Sequence, residues 1–164
     1  MTILEDALKK NATENLRWIA QEEKVDIKTI FKAVSKGSAV VMQRKNYKPL
    51  GIGYPFRTKI NVNIGTSTSL ANIDEEIEKV KIAEKFGADT ISDLSMGGNI
   101  DLIRKKIIEN STVPITTVPI YQTLVEANSV KNISEEKIFK TIETQLKDGI
   151  SSMVIHSGFS LEDL

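Results

Sequence analysis

From Lys59 onward, short apolar stretches alternate with longer amphipathic ones, and the unit repeats along the chain. Ile60-Asn61-Val62-Asn63-Ile64-Gly65 sets apolar against polar residues at a period of two and closes on glycine, which predicts a strand ending in a turn. Asn72 stands three residues before Glu75, the spacing of a capping box, ahead of a helix carrying Ile73, Ile77, Val80 and Ala83 inward. Its acidic residues lead and its lysines trail, which suits both ends of the macrodipole, and Gly87 ends it. Asp89 to Leu94 then reads as a strand, Ser95-Met96-Gly97-Gly98 as a turn, and Asn99 to Glu109 as a helix with Ile100, Ile103 and Ile107 on one face. Val113 to Val118 predicts a third strand and Gln122 to Ala127 a short helix. Ser134 caps a longer helix bearing Ile138, Phe139, Ile142 and Leu146, closed by Gly149, and Ser152 to His156 is the last strand.

Strand followed by helix, repeated, is the pattern of a parallel sheet with right-handed crossovers. The expected fold class is α/β, with parallel βα units amounting to about half of the eight that a closed (β/α)8 barrel needs. The preceding part differs. Thr2 to Glu22 predicts one helix, Asp26 caps a second through Ser35, and Ala39 to Met42 is a short strand. Gln43 to Thr58, with Pro49, Gly51, Gly53 and Pro55, predicts a loop. The chain thus divides into an N-terminal helical and loop region, residues 1–58, and a partial barrel, residues 59–164. Half a barrel has two open strand edges and an uncovered interior, for which Ile60, Val62, Ile64, Ile91, Ile115 and Val154 are candidates. Self-association, as a homo-oligomer or with a chain supplying the missing half, is the expected remedy.

Composition narrows the function. The 164 residues hold 22 Lys plus Arg and 22 Asp plus Glu, so the net charge is zero and no basic field exists for nucleic acid. The nearest basic patch, Arg44-Lys45-Asn46-Tyr47-Lys48, is too short to argue from. There is no cysteine, which excludes disulfides and thiolate metal sites from within these residues. No apolar run approaches the roughly 20 residues of a membrane span. The N-terminus lacks the basic and apolar regions of a signal peptide, so the cytoplasm is expected.

Polar residues gather at the C-terminal ends of the predicted strands: Asn61 and Asn63, Asp93 and Ser95, Thr117 and Tyr121, His156 and Ser157. In parallel α/β folds that edge is where sites are built, although the same residue types also cap loops and helices there. His156 is the only histidine, open to a role in ligand binding, in acid–base chemistry or as a hydrogen-bonded core residue. Without carboxylates at ligand spacing it is a poor argument for metal. Ser95-Met96-Gly97-Gly98 before a helix start could cradle a phosphate on backbone N–H groups, but lacks the lysine and spacing of a P-loop.

An ordered series of segments carries a more specific signal. It runs Phe56-Arg57-Thr58-Lys59-Ile60-Asn61-Val62-Asn63-Ile64-Gly65, Phe86-Gly87-Ala88-Asp89-Thr90, Asp93-Leu94-Ser95-Met96-Gly97-Gly98, Thr117-Val118-Pro119-Ile120-Tyr121-Gln122 and Ile155-His156-Ser157-Gly158. In order and spacing it resembles the phosphomethylpyrimidine synthase family of thiamine biosynthesis, from about residue 24 onward. The resemblance implies a (β/α)8 barrel binding 5-aminoimidazole ribotide. It also implies a radical lyase reaction giving hydroxymethylpyrimidine phosphate, with S-adenosylmethionine and a 4Fe–4S cluster. Four positions match the family's substrate contacts: Asn63, Ser92, Tyr121 and His156. Ser92 falls where the family has methionine, which removes apolar contact area and adds a hydroxyl. The family's arginine-glycine-glycine loop, zinc-binding histidines and cluster-binding cysteine motif have no counterpart here, so cluster and zinc ligands are absent and this chain alone is expected to be inactive. A non-catalytic paralogue that binds a nucleotide or a partner is the alternative.

Overall fold

The computed structural model describes residues 2–43 and 47–156. The chain forms two compact units, Met1–Ile60 and Asn61–Leu164.

In the first unit, helix α1 (Ile3–Leu8) opens on a capping box between Thr2 and Glu5. Helix α2 (Glu14–Glu23) follows after a break, where the sequence pattern predicts one continuous helix. Local chemistry makes the break. Lys10 takes a positive φ of 54°, Asn11 donates its side-chain amide to Asp6, and the Thr13 hydroxyl accepts from the Leu16 N–H to start α2 afresh. Asp26 caps helix α3 (Ile27–Ser35). Strands β1 (Ala39–Met42) and β2 (Leu50–Gly53) then pair antiparallel. Strand β2 lies inside the segment expected to be a loop. Pro49 and Pro55 flank it rather than interrupt it, and Gly51 is needed because a Cβ there would stand 2.8 Å from the Phe56 ring. Leu16, Ile19, Ile30, Phe31, Val34 and Phe56 form the core. Of the short basic patch, Arg44, Lys45 and Asn46 lie outside the described residues, and the Lys48 ammonium rests 3.8 Å over the Trp18 ring.

The second unit is a four-stranded parallel sheet in the order β3 (Asn61–Ile64), β4 (Thr90–Asp93), β5 (Ile115–Thr117), β6 (Ser152–Met153). Helices α4 (Ile73–Lys85) and α5 (Ile100–Asn110) cross between successive strands. Helices α6 (Pro119–Ala127) and α7 (Glu135–Asp148) with a 3-10 turn, Val130–Asn132, make the last crossover. Sequential strands are neighbours, as βα repetition requires, and the sheet ends at β3 on one side and β6 on the other.

The two faces of the sheet differ. Ile64, Ile91 and Ile115 pack with Val80, Ala83, Ile103 and Ile107 into the core beneath the helices. Parallel register puts Val62, Asp93, Thr117 and Met153 on that same face. The opposite face therefore carries Asn61, Asn63, Thr90, Ser92, Thr116 and Ser152, all polar. Of the candidates for an uncovered interior, Ile64, Ile91 and Ile115 are turned toward the helices by alternation, while Ile60 and Val154 are exposed. Helix α7 also departs from expectation. Phe139 and Leu146 are exposed, and its buried positions are Thr141 and Gln145. Among the described residues no helix is long and apolar enough to cross a membrane.

Candidate functional site

The polar face is organised by register. Asn63, Ser92, Thr116 and Ser152 are successive Cα partners, one on each strand, so their side chains form a row across the sheet. Hydrogen bonds tie the row together. The Ser92 hydroxyl donates to Asn61 Oδ1 at 3.0 Å, and Asn61 Nδ2 donates to Asn63 Oδ1 at 2.9 Å. Thr116 and Ser152 hydroxyls lie 2.7 Å apart. Ser92 is buried and Asn63 exposed.

Two rings stand at the same edge. Tyr121 lies in the first turn of α6, directly after β5, and its N–H donates to the Val118 carbonyl. His156 follows β6. Their ring centroids are 5.7 Å apart with planes tilted by 31°. Asn63 and Ser92 are thus joined as neighbours on β3 and β4, and Tyr121 and His156 as a ring pair after β5 and β6.

The loops after β3 and β4 are stitched to one another. Thr66 donates its N–H to Ser95 Oγ and its hydroxyl to the Gly97 carbonyl at 2.7 Å, and accepts from the Met96 N–H at 2.8 Å. Buried Glu76 accepts from the Gly65 N–H at 2.9 Å. Backbones approach so closely that a Cβ on Gly97 would collide with the Ser67 carbonyl, and one on Gly65 would lie 2.6 Å from Ser95 N. The N–H groups of Ser95 and Met96 are spent on Asp93 and Thr66, which makes this turn a clasp between the two loops.

Asp93 and Thr117 end β4 and β5, at the strand ends the sequence pattern picks out, but their register turns both away from the polar row. Asp93 faces the helices, where burial raises its carboxyl above the ordinary range against the opposing hydrogen bonds from Ser95. Thr117 also faces the helices and donates to Gln145. Ser95 is occupied with Asp93 and Thr66, while Ser157 lies outside the described residues. Thr116 and Ser152 escape a search for strand-end polar residues, because the telling signal is their phase with Ser92 across the sheet.

Chemically, the row offers neutral amides and hydroxyls, and the segments after β5 and β6 offer two rings. That suits orienting a polar ligand by hydrogen bonds and stacking, not supplying charge. Among the described residues no group of three or more His, Cys, Asp or Glu is placed to hold a metal ion.

A family model described as the radical SAM ThiC family matches residues 2–164. A phosphomethylpyrimidine synthase from Pyrococcus furiosus is 41% identical over 169 aligned positions, covering 99% of this chain and 39% of the relative. The enzymes of that name from Methanococcus maripaludis and Thermoanaerobacter sp. are 43% and 45% identical, over 98% and 100% of this chain. The chain spans about two-fifths of these relatives' length, 39% and 40% for the latter two. It belongs to the radical SAM ThiC family, that of the phosphomethylpyrimidine synthases.

Proposed function

We propose that this chain forms the ribotide-binding part of a cytoplasmic phosphomethylpyrimidine synthase, about half of a (β/α)8 barrel with its polar sheet face turned to the barrel interior. Asn63 hydrogen-bonds 5-aminoimidazole ribotide, Ser92 shapes the pocket floor, and Tyr121 and His156 clamp the ligand between hydrogen bonds and ring contact. The observation that carries the reading is the alignment of Asn63 and Ser92 in one register row, with the Tyr121–His156 ring pair at the same strand-end edge. The substrate roles of the four residues and the division into an N-terminal region and a partial barrel belong to this proposal.

The family's cofactors are a different matter. A 4Fe–4S cluster of the family type needs cysteine thiolates, and the chain has none. No described cluster fits zinc. These residues do not fit either group, and no chemical step through them is assigned here. Radical generation from S-adenosylmethionine falls to a C-terminal half or a homologous chain, within a homo-oligomer.

Titration calorimetry with 5-aminoimidazole ribotide tests the proposal. Binding should be saturable, and His156→Ala and Asn63→Ala should each weaken it about 10-fold or more, the scale of a lost buried polar pairing. Unchanged affinity in both variants would reject the assigned roles. A second reading, a non-catalytic nucleotide-binding paralogue, draws support from the serine at position 92. Ribotide binding without turnover, after addition of a complete family enzyme's C-terminal half, would favour it.

A further inference from the structure

The largest fully buried side chain among the described residues is a charged one. Arg104, on α5, is only 1% exposed. Its Nε and Nη2 both donate to Asp148 Oδ2, at 3.0 and 2.6 Å. Nη2 also donates to Asp101 Oδ1 at 2.6 Å, and Nη1 to Gln122 Oε1 at 2.7 Å. Gln122 in turn donates to Asp101 and Glu126 and accepts from Gln145, whose own oxygen accepts from Thr117. One guanidinium thus links α5 to α6 and α7, and through Gln145 to the end of β5.

Its partners lie on the segments that carry the ring pair. Gln122 is the neighbour of Tyr121 in the first turn of α6. That helix has no side-chain N-cap, since Val118 occupies the cap position, so Gln122 is the polar anchor of its first turn. Asp148 is the last residue of α7, and Gly149 and Ile150 lead from it into β6 and His156. Apolar packing alone would bind three helices together without fixing their rotation. A planar fork with fixed donor directions sets rotation as well as distance.

We propose that Arg104 is a positioning residue: acting on the helix side of the sheet, through Gln122 and Asp148, it sets the separation and tilt of the Tyr121 and His156 rings on which ligand orientation depends. The functional consequence rests on the proposed ribotide site, but the geometric claim does not. Any ligand of the ring pair would feel it.

His156 is the only histidine in the chain, so its imidazole proton signal in a nuclear magnetic resonance spectrum is unambiguous. Carried within a longer protein, the same signal is identified by subtracting the spectrum of His156→Gln. The Tyr121 ring current displaces that signal, and Tyr121→Leu gives the undisplaced reference position. Arg104→Met and Gln122→Met should each move the His156 signal most of the way to that reference, while the amide signals of β3 and β4 stay in place. Gln122→Met leaves the Arg104–Asp148 pair intact and guards against a variant that fails to fold. Ile107→Val, a core change on the same helix, should lower stability and leave the His156 signal where it is. The proposal is overturned if the signal stays put in folded Arg104→Met and Gln122→Met. It is equally overturned if the signal moves only when the whole spectrum collapses, or moves as far in Ile107→Val. Ribotide plays no part in this measurement, so a failure of the binding proposal would leave its outcome unaffected.

Discussion

Two carboxylates near Arg104 respond to pH in opposite senses. Burial raises Asp93, and the hydrogen bonds from Ser95 and the Arg104 charge only partly offset it. With its folded pKa above the unfolded value, the folded chain holds that proton longer. The stability linked to Asp93 is therefore greatest below the unfolded pKa and falls as pH rises through the raised folded value. At Asp101 burial also acts upward, but hydrogen bonds from Arg104 and Gln122 outweigh it and hold the carboxyl below its usual range. Its contribution is complete above the unfolded pKa and is lost as pH falls through the depressed value. Asp93→Asn should thus gain stability relative to the parent as pH rises from acid to neutral. Thermal melts across that range check this, and curves that stay parallel would contradict it. Removing Arg104 is the harsher change, because it strands Asp148 and Gln122 without their donor. Arg104→Ala should cost about 3–5 kcal/mol in denaturant titration, the cost of breaking a buried ion pair.

Among the elements, β4 carries the most, since all four of its residues are buried between β3 and β5. Ile91→Ala should destabilise by about 2–5 kcal/mol, read as a lower denaturant midpoint with unchanged slope. How far such elements can be foreseen depends on where their information lies. The caps Asn72, Asp26 and Ser134 announced their helices because capping is a local matter. Strand β2 is hidden because its glycines make room for the Phe56 ring at Gly51 and the Ser38 carbonyl at Gly53, contacts with no trace in local pattern. For the candidate site, strand-end position picks out Asn63, Tyr121 and His156 together with Asp93 and Thr117, and resemblance alone adds Ser92 and the substrate roles. Which face a strand residue takes depends on phase with its neighbours, and Asp93 is one residue out of phase with Ser92. The exposure of Phe139 and Leu146 was likewise illegible, because the apolar stripe of α7 gives no hint that Thr141 and Gln145 would face inward to join the polar network.

For the whole sheet, the placement of its apolar residues changes what to expect of the chain in solution. The large aliphatic side chains of its central strands already lie beneath the helices, the opposite face is hydroxyl and amide, and the exposed aliphatics are those flanking the outer strands, Ile60, Val154 and Ile155. The 164-residue chain should therefore melt cooperatively and bind little hydrophobic dye, while the end strands β3 and β6 promote concentration-dependent association in sedimentation. Strong dye binding with a broad melt would show that the core is not closed as described. The clasp between the loops after β3 and β4 bears on movement. Segments locked by backbone contact at Gly65 and Gly97, with Thr66 bonded both ways across the gap, cannot swing independently. That side of the site is a stationary jaw. If the protein closes around what it binds, the movement lies outside this pair of loops.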